Sequence, residues 1–415
     1  MMMSSTVVTI PMEEDEKNGR KQRPRMARQQ KDGVYRKVIH SAKVGIALVL
    51  VSLLYLLDPL YQYFGDNAMW AVMTVVVIFE FYAGATLGKG LNRGAGTILG
   101  GGLGCLAAIL ADEVGGVGNA IVAGICVFVF GAAATYCRLA PSIKRRYDYG
   151  SMIFILTFNL VIVSGLRTDK IIEIALDRLS TIGVGFVICI ATSLLIFPVW
   201  SSDELHNSTA AKFERLACCV EECLEEYFRV IDEKGIHPSE SVSSCQSVLY
   251  SKPNDESLAN FARWEPWHGK FGLSHPWDKY LQIGDVLREL AATITTLKGC
   301  IQSPLQPSSS SRQCIKEPCE AVGSLLAGIL GELGETVMKM ERPRPKELIA
   351  SKLQSVKLEL SLVASAPSKL EASENSTEGL GLASFMFLLL EIAEKVEVLA
   401  KEVEELGELP GFPTY

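Results

Sequence analysis

The hydrophobic pattern changes character near residue 200. Before it, apolar residues run in stretches close to 20, the length a helix needs to cross about 30 Å of hydrocarbon while satisfying its own backbone. Six segments fit: residues 38–57, 67–84, 91–111, 119–136, 150–166 and 171–200. Beyond 200 the apolar positions become periodic. Phe213, Leu216, Val220, Leu224, Tyr227 and Ile231 advance by three and four, which marks one buried face of a helix. Residues 277–298, 319–340, 346–364 and 380–405 read the same way, and the unbroken apolar run 380–390 is too short to span. The pattern predicts an all-α membrane protein: a polar N-terminal arm at 1–37, six transmembrane helices in 38–200, and a cytosolic α-helical domain in 201–415.

Charge follows the same division. Residues 1–200 hold 19 Lys+Arg and 14 Asp+Glu, and residues 201–415 hold 21 and 33. An acidic folded half argues against nucleic acid as a partner. An overall composition of 48% apolar and 21% charged residues excludes disorder. The basic residues also orient the spans. The arm carries Arg20, Lys21, Arg23, Arg25, Arg28, Lys31, Arg36 and Lys37; Lys89 and Arg93 follow span two, and Arg138, Lys144, Arg145 and Arg146 follow span four. The turns at 58–66 and 112–118 have no Lys or Arg, and only Arg167 and Lys170 dilute the asymmetry. Both termini are therefore expected in the cytosol.

Enzyme chemistry finds no support. The five histidines are scattered, no CxxC pair accompanies them, and the eleven cysteines read as reduced, buried thiols. No cofactor is expected. Gly100-Gly101-Gly102-x-Gly104 lies inside an apolar helix, without the preceding strand and Lys-Ser/Thr of a phosphate loop. Gly96, Gly100 and Gly104 instead share a face, where small residues let two helices approach closely; a seam within one chain and a seam between two copies both fit. The serine-rich stretch 303–311 reads as a loop.

Ionisable residues inside spans are functional candidates by default, because each costs about 2.5–3.5 kcal/mol at a helix centre on insertion scales. Glu80 sits in Phe79-Glu80-Phe81 within span two; Glu173, Asp177 and Arg178 lie in the outer part of span six. Glu80 reads either as a structural partner of a cation or as a proton-coupling carboxylate. Lys89 and Arg93 share a helical face if their stretch is helical. Lys89 lies within, and Arg93 follows, the stretch holding Gly84, Gly88 and Gly90, which suggests irregular backbone of the kind tolerated at membrane depth where it lines a cavity. A path lined by Arg and Lys without a matching carboxylate ring selects anions.

Several long motifs then become recognisable. Trp70-Ala-Val-Met-Thr-Val-Val-Val-Ile-Phe-Glu-Phe81 and Gly84-Ala-Thr-Leu-Gly-Lys-Gly-Leu-Asn-Arg93-Gly94 resemble the plant aluminium-activated malate transporter family. So do Lys43-Val-Gly-Ile-Ala-Leu-Val-Leu-Val-Ser52, Asp148-Tyr-Gly-Ser-Met-Ile-Phe-Ile-Leu-Thr-Phe158, Arg178-Leu-Ser-Thr-Ile182 and the Trp264-Glu265-Pro266 element. The resemblance implies a homodimeric anion channel, integral to a plant plasma or vacuolar membrane, that passes malate and other small anions passively. Carried over residue by residue, it implies Arg93 and Arg178 as principal anion ligands, with Lys43, Lys144 and Lys89 as further pore cations and Glu80 as a pore-associated acid. Asp169 and Glu173 are the carboxylates available for a cation at the outer mouth. Set against that resemblance, the chain is expected to be short in its C-terminal region. Two other readings compete with the channel: a proton-coupled organic-anion transporter using Glu80, and a non-conducting membrane scaffold.

Overall fold

A computed structural model describes residues 14–64, 68–165, 171–229, 240–269, 271, 275–301, 309–340, 346–364 and 376–409. These residues form helices and no strand; an isolated antiparallel bridge joins His268 and Phe271. The chain divides into two compact units, Met1–Val199 and Trp200–Tyr415. The expected outer-mouth residue Asp169, residues 303–308 of the expected serine-rich loop, and Ile231 of the amphipathic seam lie outside the described residues; residues 309–311 of that loop instead begin a helix.

In the first unit, α1 (Glu14–Leu56) is one helix running from the basic arm through the first apolar run. It is followed by α2 (Asp58–Phe64), α3 (Ala68–Ile78), α4 (Ala83–Val114), α5 (Gly116–Leu139), α6 (Pro141–Gly165) and α7 (Ile171–Leu195). Large apolar side chains point outward here, among them Leu99, Leu106, Phe128 and Val187, and of α5 only Ala123 is buried. Such a surface suits lipid and would be unstable in water.

The expected second span needs correction. Residues 67–84 are not one membrane-long helix: α3 has 11 residues, about 16 Å at 1.5 Å per residue. The chain then leaves helical geometry at residues 79–82 before α4 begins. The glycines expected to break the backbone, Gly84, Gly88 and Gly90, lie instead within α4. Span six also stops earlier than expected, because α7 ends at Leu195.

By length and composition, six helical segments can cross a membrane: Gly33–Leu56, Ala83–Val114, Gly116–Leu139, Arg146–Gly165, Leu176–Leu195 and Ile315–Lys339. Five match the apolar runs read from the sequence. The sixth lies in the second unit, where Val322, Leu326, Leu330 and Leu333 are buried; it packs on other helices of that unit as the amphipathic reading expects.

The glycine stripe is settled in favour of packing within one chain. A Cβ on Gly96 would fall 2.4 Å from the Gly150 carbonyl oxygen, and one on Gly100 would fall 2.7 Å from that of Phe154. α4 and α6 meet backbone to backbone along this seam, with Gly104 against Val161.

The second unit is an ordinary helical core. It contains α8 (Ser201–Phe228), α9 (Glu240–Leu249), α10 (Lys252–Ala262), α11 (Trp277–Ile301), α12 (Ser309–Lys339), α13 (Lys346–Ala364) and α14 (Ser376–Glu408). Phe213, Leu216, Val220, Leu224 and Tyr227 of α8 are all buried, as their spacing predicts. Tyr227 stacks on Phe385 of α14 with ring centroids 3.8 Å apart. The thiols of Cys219, Cys223, Cys245 and Cys319 are buried, whereas Cys137 and Cys218 are exposed against expectation; desolvation pushes Cys223 up to about 12, which leaves it unreactive at neutral pH.

Candidate functional site

The polar groups of the first unit gather around the break between α3 and α4. Residues 79–82 contain neither Gly nor Pro, so the break is held from outside. The Glu80 amide donates to the Thr86 hydroxyl at 3.0 Å, and that oxygen lies 3.3 Å from the carbonyls of both Glu80 and Tyr82. The Ala83 amide, at the start of α4, donates to the Val199 carbonyl at 3.0 Å. Backbone groups freed at the break thus find partners, the condition for irregular chain in hydrocarbon.

Glu80, expected inside an apolar helix, lies in this non-helical stretch and accepts an ion pair from Lys89. The α1 residue His40 faces both flanking rings, at 5.8 Å from Phe79 and 5.4 Å from Phe81. One turn further on, Lys43 is only 2% exposed. His40 feels the charges of both Lys43 and Glu80, so α1, the break and the start of α4 share one electrostatic neighbourhood.

Arg93 lies ten residues beyond the break on α4 and is 6% exposed. Its guanidinium donates to the Tyr149 hydroxyl at 3.2 Å, while its Nε is buried without a partner. Arg178, on α7, lies over the Trp70 ring at 5.1 Å, within cation–π range; its Nε is likewise buried and unpartnered. Arg178 and Trp70 border a cavity of about 200 Å³ together with Thr97, Cys105 and Thr157. Thr97 is one turn beyond Arg93, and its hydroxyl is also buried without a partner. Among the described residues no carboxylate pairs with Lys43, Arg93 or Arg178. Buried polar groups ordinarily find partners. Three orphaned polar atoms on two neighbouring helices, beside uncompensated cations, therefore form a locale suited to an anion or to water.

The remaining expected residues fall elsewhere. Lys144 is exposed near the start of α6, where its charge acts on Asp148. Asp148 holds Arg138 through a two-pronged contact at 2.8 and 3.3 Å. Glu173 is exposed in the first turn of α7. No group of three or more His, Cys, Asp or Glu suited to a metal occurs among the described residues. Sequence reasoning did not single out Trp70, Thr86, Thr97 or Tyr149, although all but Thr97 lie within the motifs that carried the family resemblance.

The second unit has its own built polar site at the start of α8. Buried Glu265 accepts from the Ser201 amide at 2.6 Å, the Ser201 hydroxyl at 2.7 Å and the Ser202 amide at 3.2 Å. A carboxylate here satisfies orphan amides and complements the positive helix end. This gives the Trp264-Glu265-Pro266 element a physical role.

A first unit of long helices with an apolar exterior, broken once beside buried cations, defines the molecule as a helical protein built for a membrane. The aluminium activated malate transporter family profile matches residues 26–363, and the chain belongs to that family. It is similar to aluminum-activated malate transporter 12 of Arabidopsis thaliana, at 45% identity over 314 residues, covering 75% of this chain and 56% of that one. It is 41% identical to aluminum-activated malate transporter 2 of the same plant over 384 residues, covering 91% and 76%. Aluminum-activated malate transporter 1 of Triticum aestivum matches at 36% over 385 residues, covering 88% and 82%. Against Arabidopsis transporters 12, 13 and 14 the chain spans less than two thirds of the relative's length.

Proposed function

We propose that this protein is an anion channel, passing malate and other small organic and inorganic anions down their gradient across a plant membrane. In this reading two copies form the channel, residues 38–200 line it, residues 201–415 form a cytosolic domain, and both termini are cytosolic. Arg93 and Arg178 are the principal anion contacts, Lys43 adds charge near the break, and Lys89 and Lys144 act towards the cytosolic mouth.

The observation that carries the proposal is a set of cations, buried Lys43 and Arg93 and half-buried Arg178, that meet no carboxylate among the described residues. A buried charge lacking a partner is strongly unfavourable, and a mobile anion with water is the partner that leaves a conducting path. Arginine suits the role, since it stays protonated and offers planar paired donors to a carboxylate. Binding must remain weak enough for release.

Glu80 serves this channel as the partner of Lys89 rather than as a proton carrier. Patch-clamp recording with malate on the cytosolic side tests both points. A reversal potential that follows the anion gradient and ignores pH supports the channel. One that moves with the proton gradient establishes coupling, and absence of current with every anion tried removes conduction.

A further inference from the structure

Trp267 is 76% exposed, although large aromatic residues are highly buried on average. It does not sit on a loose loop. Two residues before it, Glu265 is fixed to the first turn of α8. Immediately after it, His268 is held on three sides. Its Nδ1 meets the Pro266 carbonyl at 2.8 Å and its Nε2 meets the Ser202 hydroxyl at 3.0 Å, while its ring stacks on Trp200 with centroids 3.7 Å apart. A carbonyl can only accept, so Nδ1 carries the proton there. Gly269 then turns the chain at φ +51°, a left-handed conformation open to glycine, and the Phe271 amide returns to the His268 carbonyl. The indole therefore projects from a turn fixed on both sides, and burying it would order nothing further.

Chain connectivity supplies what the indole meets. Trp200, which carries the His268 stack, is five residues beyond Leu195, where α7 ends. Five residues reach at most about 18 Å when fully extended. The intervening Ile196-Phe197-Pro198-Val199 is apolar, and Phe197 is exposed with a left-handed φ of 42° that shortens the reach. Tryptophan concentrates where hydrocarbon meets water, because its ring is apolar and its N–H seeks a polar partner. We propose that Trp267 inserts into the headgroup layer of the bilayer crossed by α7, and so pins the capped start of α8 to the membrane surface. This inference rests on α7 being a span.

The test uses the full-length protein in phosphatidylcholine liposomes. Carbonate-resistant association is checked first, and its failure would overturn the span assignment instead. The fluorescence difference between wild type and Trp267→Phe isolates this indole. Lipid brominated near the glycerol end of its acyl chains should remove the greater part of that difference signal, and aqueous acrylamide should leave most of it. Acrylamide quenching with bromolipid sparing would place Trp267 in water and overturn the proposal. Protection from both would show protein covering it, such as a second copy, and would also overturn it. Should Trp267→Phe fail to assemble, Trp267→Tyr provides the same difference signal.

Discussion

The two units bury charge in opposite ways. In the second, Lys212 and Arg288 are buried around Asp255, whose carboxylate accepts from Lys212 at 2.5 Å and from Arg288 at 3.0 Å. Burial pushes the Lys212 ammonium down and the charge and hydrogen bond of Asp255 push it up, with burial prevailing. Here charge is structural, each buried cation meeting its acid. In the first unit Lys43, Arg93 and Arg178 have no such acid among the described residues. The second unit compensates its buried charge internally, whereas the first unit leaves these three cations without a carboxylate among the described residues.

The largest expected effect tests the closed side. Asp255→Ala strands the buried Lys212 and leaves Arg288 only the half-exposed Asp285, and should cost about 3–5 kcal/mol, the range for removing one partner of a buried pair. Urea unfolding of the second unit within the full chain measures it. Replacing Lys212 and Arg288 by Met in the same chain should recover most of the loss. A cost close to that of a surface mutation would show that Asp255 is not the compensating charge.

On the open side, the α4–α6 seam comes next. Gly100→Ala forces a methyl against the Phe154 carbonyl and should destabilise the first unit by about 1–3 kcal/mol, as overpacking does. Gly102→Ala, with open space around it, should be neutral. Thermal unfolding in detergent compares the two; equal melting points would mean that α4 and α6 do not meet as described.

Arg93→Met carries the contrast itself. Current per channel should fall about tenfold, equivalent to roughly 1.4 kcal/mol of lost anion stabilisation, while the melting temperature and dimer yield hold. A variant with normal unit current removes Arg93 from the path, and one that loses protein along with current makes it structural. Arg178→Lys should retain part of the current, keeping charge while losing paired donors.

The smallest effect concerns Asp285. Its own burial would raise this carboxyl, but the hydrogen bond and charge of Arg288, with the charge of Lys252, overrule that and hold it below the usual range. A lowered carboxyl contributes stability that is complete above the ordinary Asp value near 3.9 and disappears as pH falls through the lowered one. Asp285 is half exposed, so Asp285→Asn should cost less than about 1 kcal/mol at neutral pH. The difference from wild type should vanish in acid, as unfolding curves between pH 7 and 2 would reveal.

Much of this architecture is legible in one sequence, because burial leaves a periodic trace. The α8 seam could be read residue by residue, and five of the apolar runs became helices of membrane length. The break at residues 79–82 left no such trace. Its residues are three aromatics and Glu80, none of them a helix breaker, and what holds it open is a threonine within α4 and a carbonyl more than a hundred residues later. The glycines of α4 misled for a related reason. Gly90 faces the Phe186 ring, 1.8 Å from where a Cβ would stand, so it serves close packing without breaking the helix. At the candidate site, charge type was readable and isolation was not: a sequence displays Arg93 and Arg178, but only the fold shows that no carboxylate among the described residues reaches them.

The length of α4 has a last consequence. Its 32 residues extend about 48 Å, well beyond a hydrocarbon layer of roughly 30 Å. A helix that overshoots its bilayer must lean or let its ends emerge, and the degree depends on local thickness. Arg93 rides on α4, so a thicker or thinner membrane changes the depth at which its charge sits. Acyl-chain length in a reconstituted bilayer thus becomes a physical dial on this protein, set by the lipid with no ligand bound.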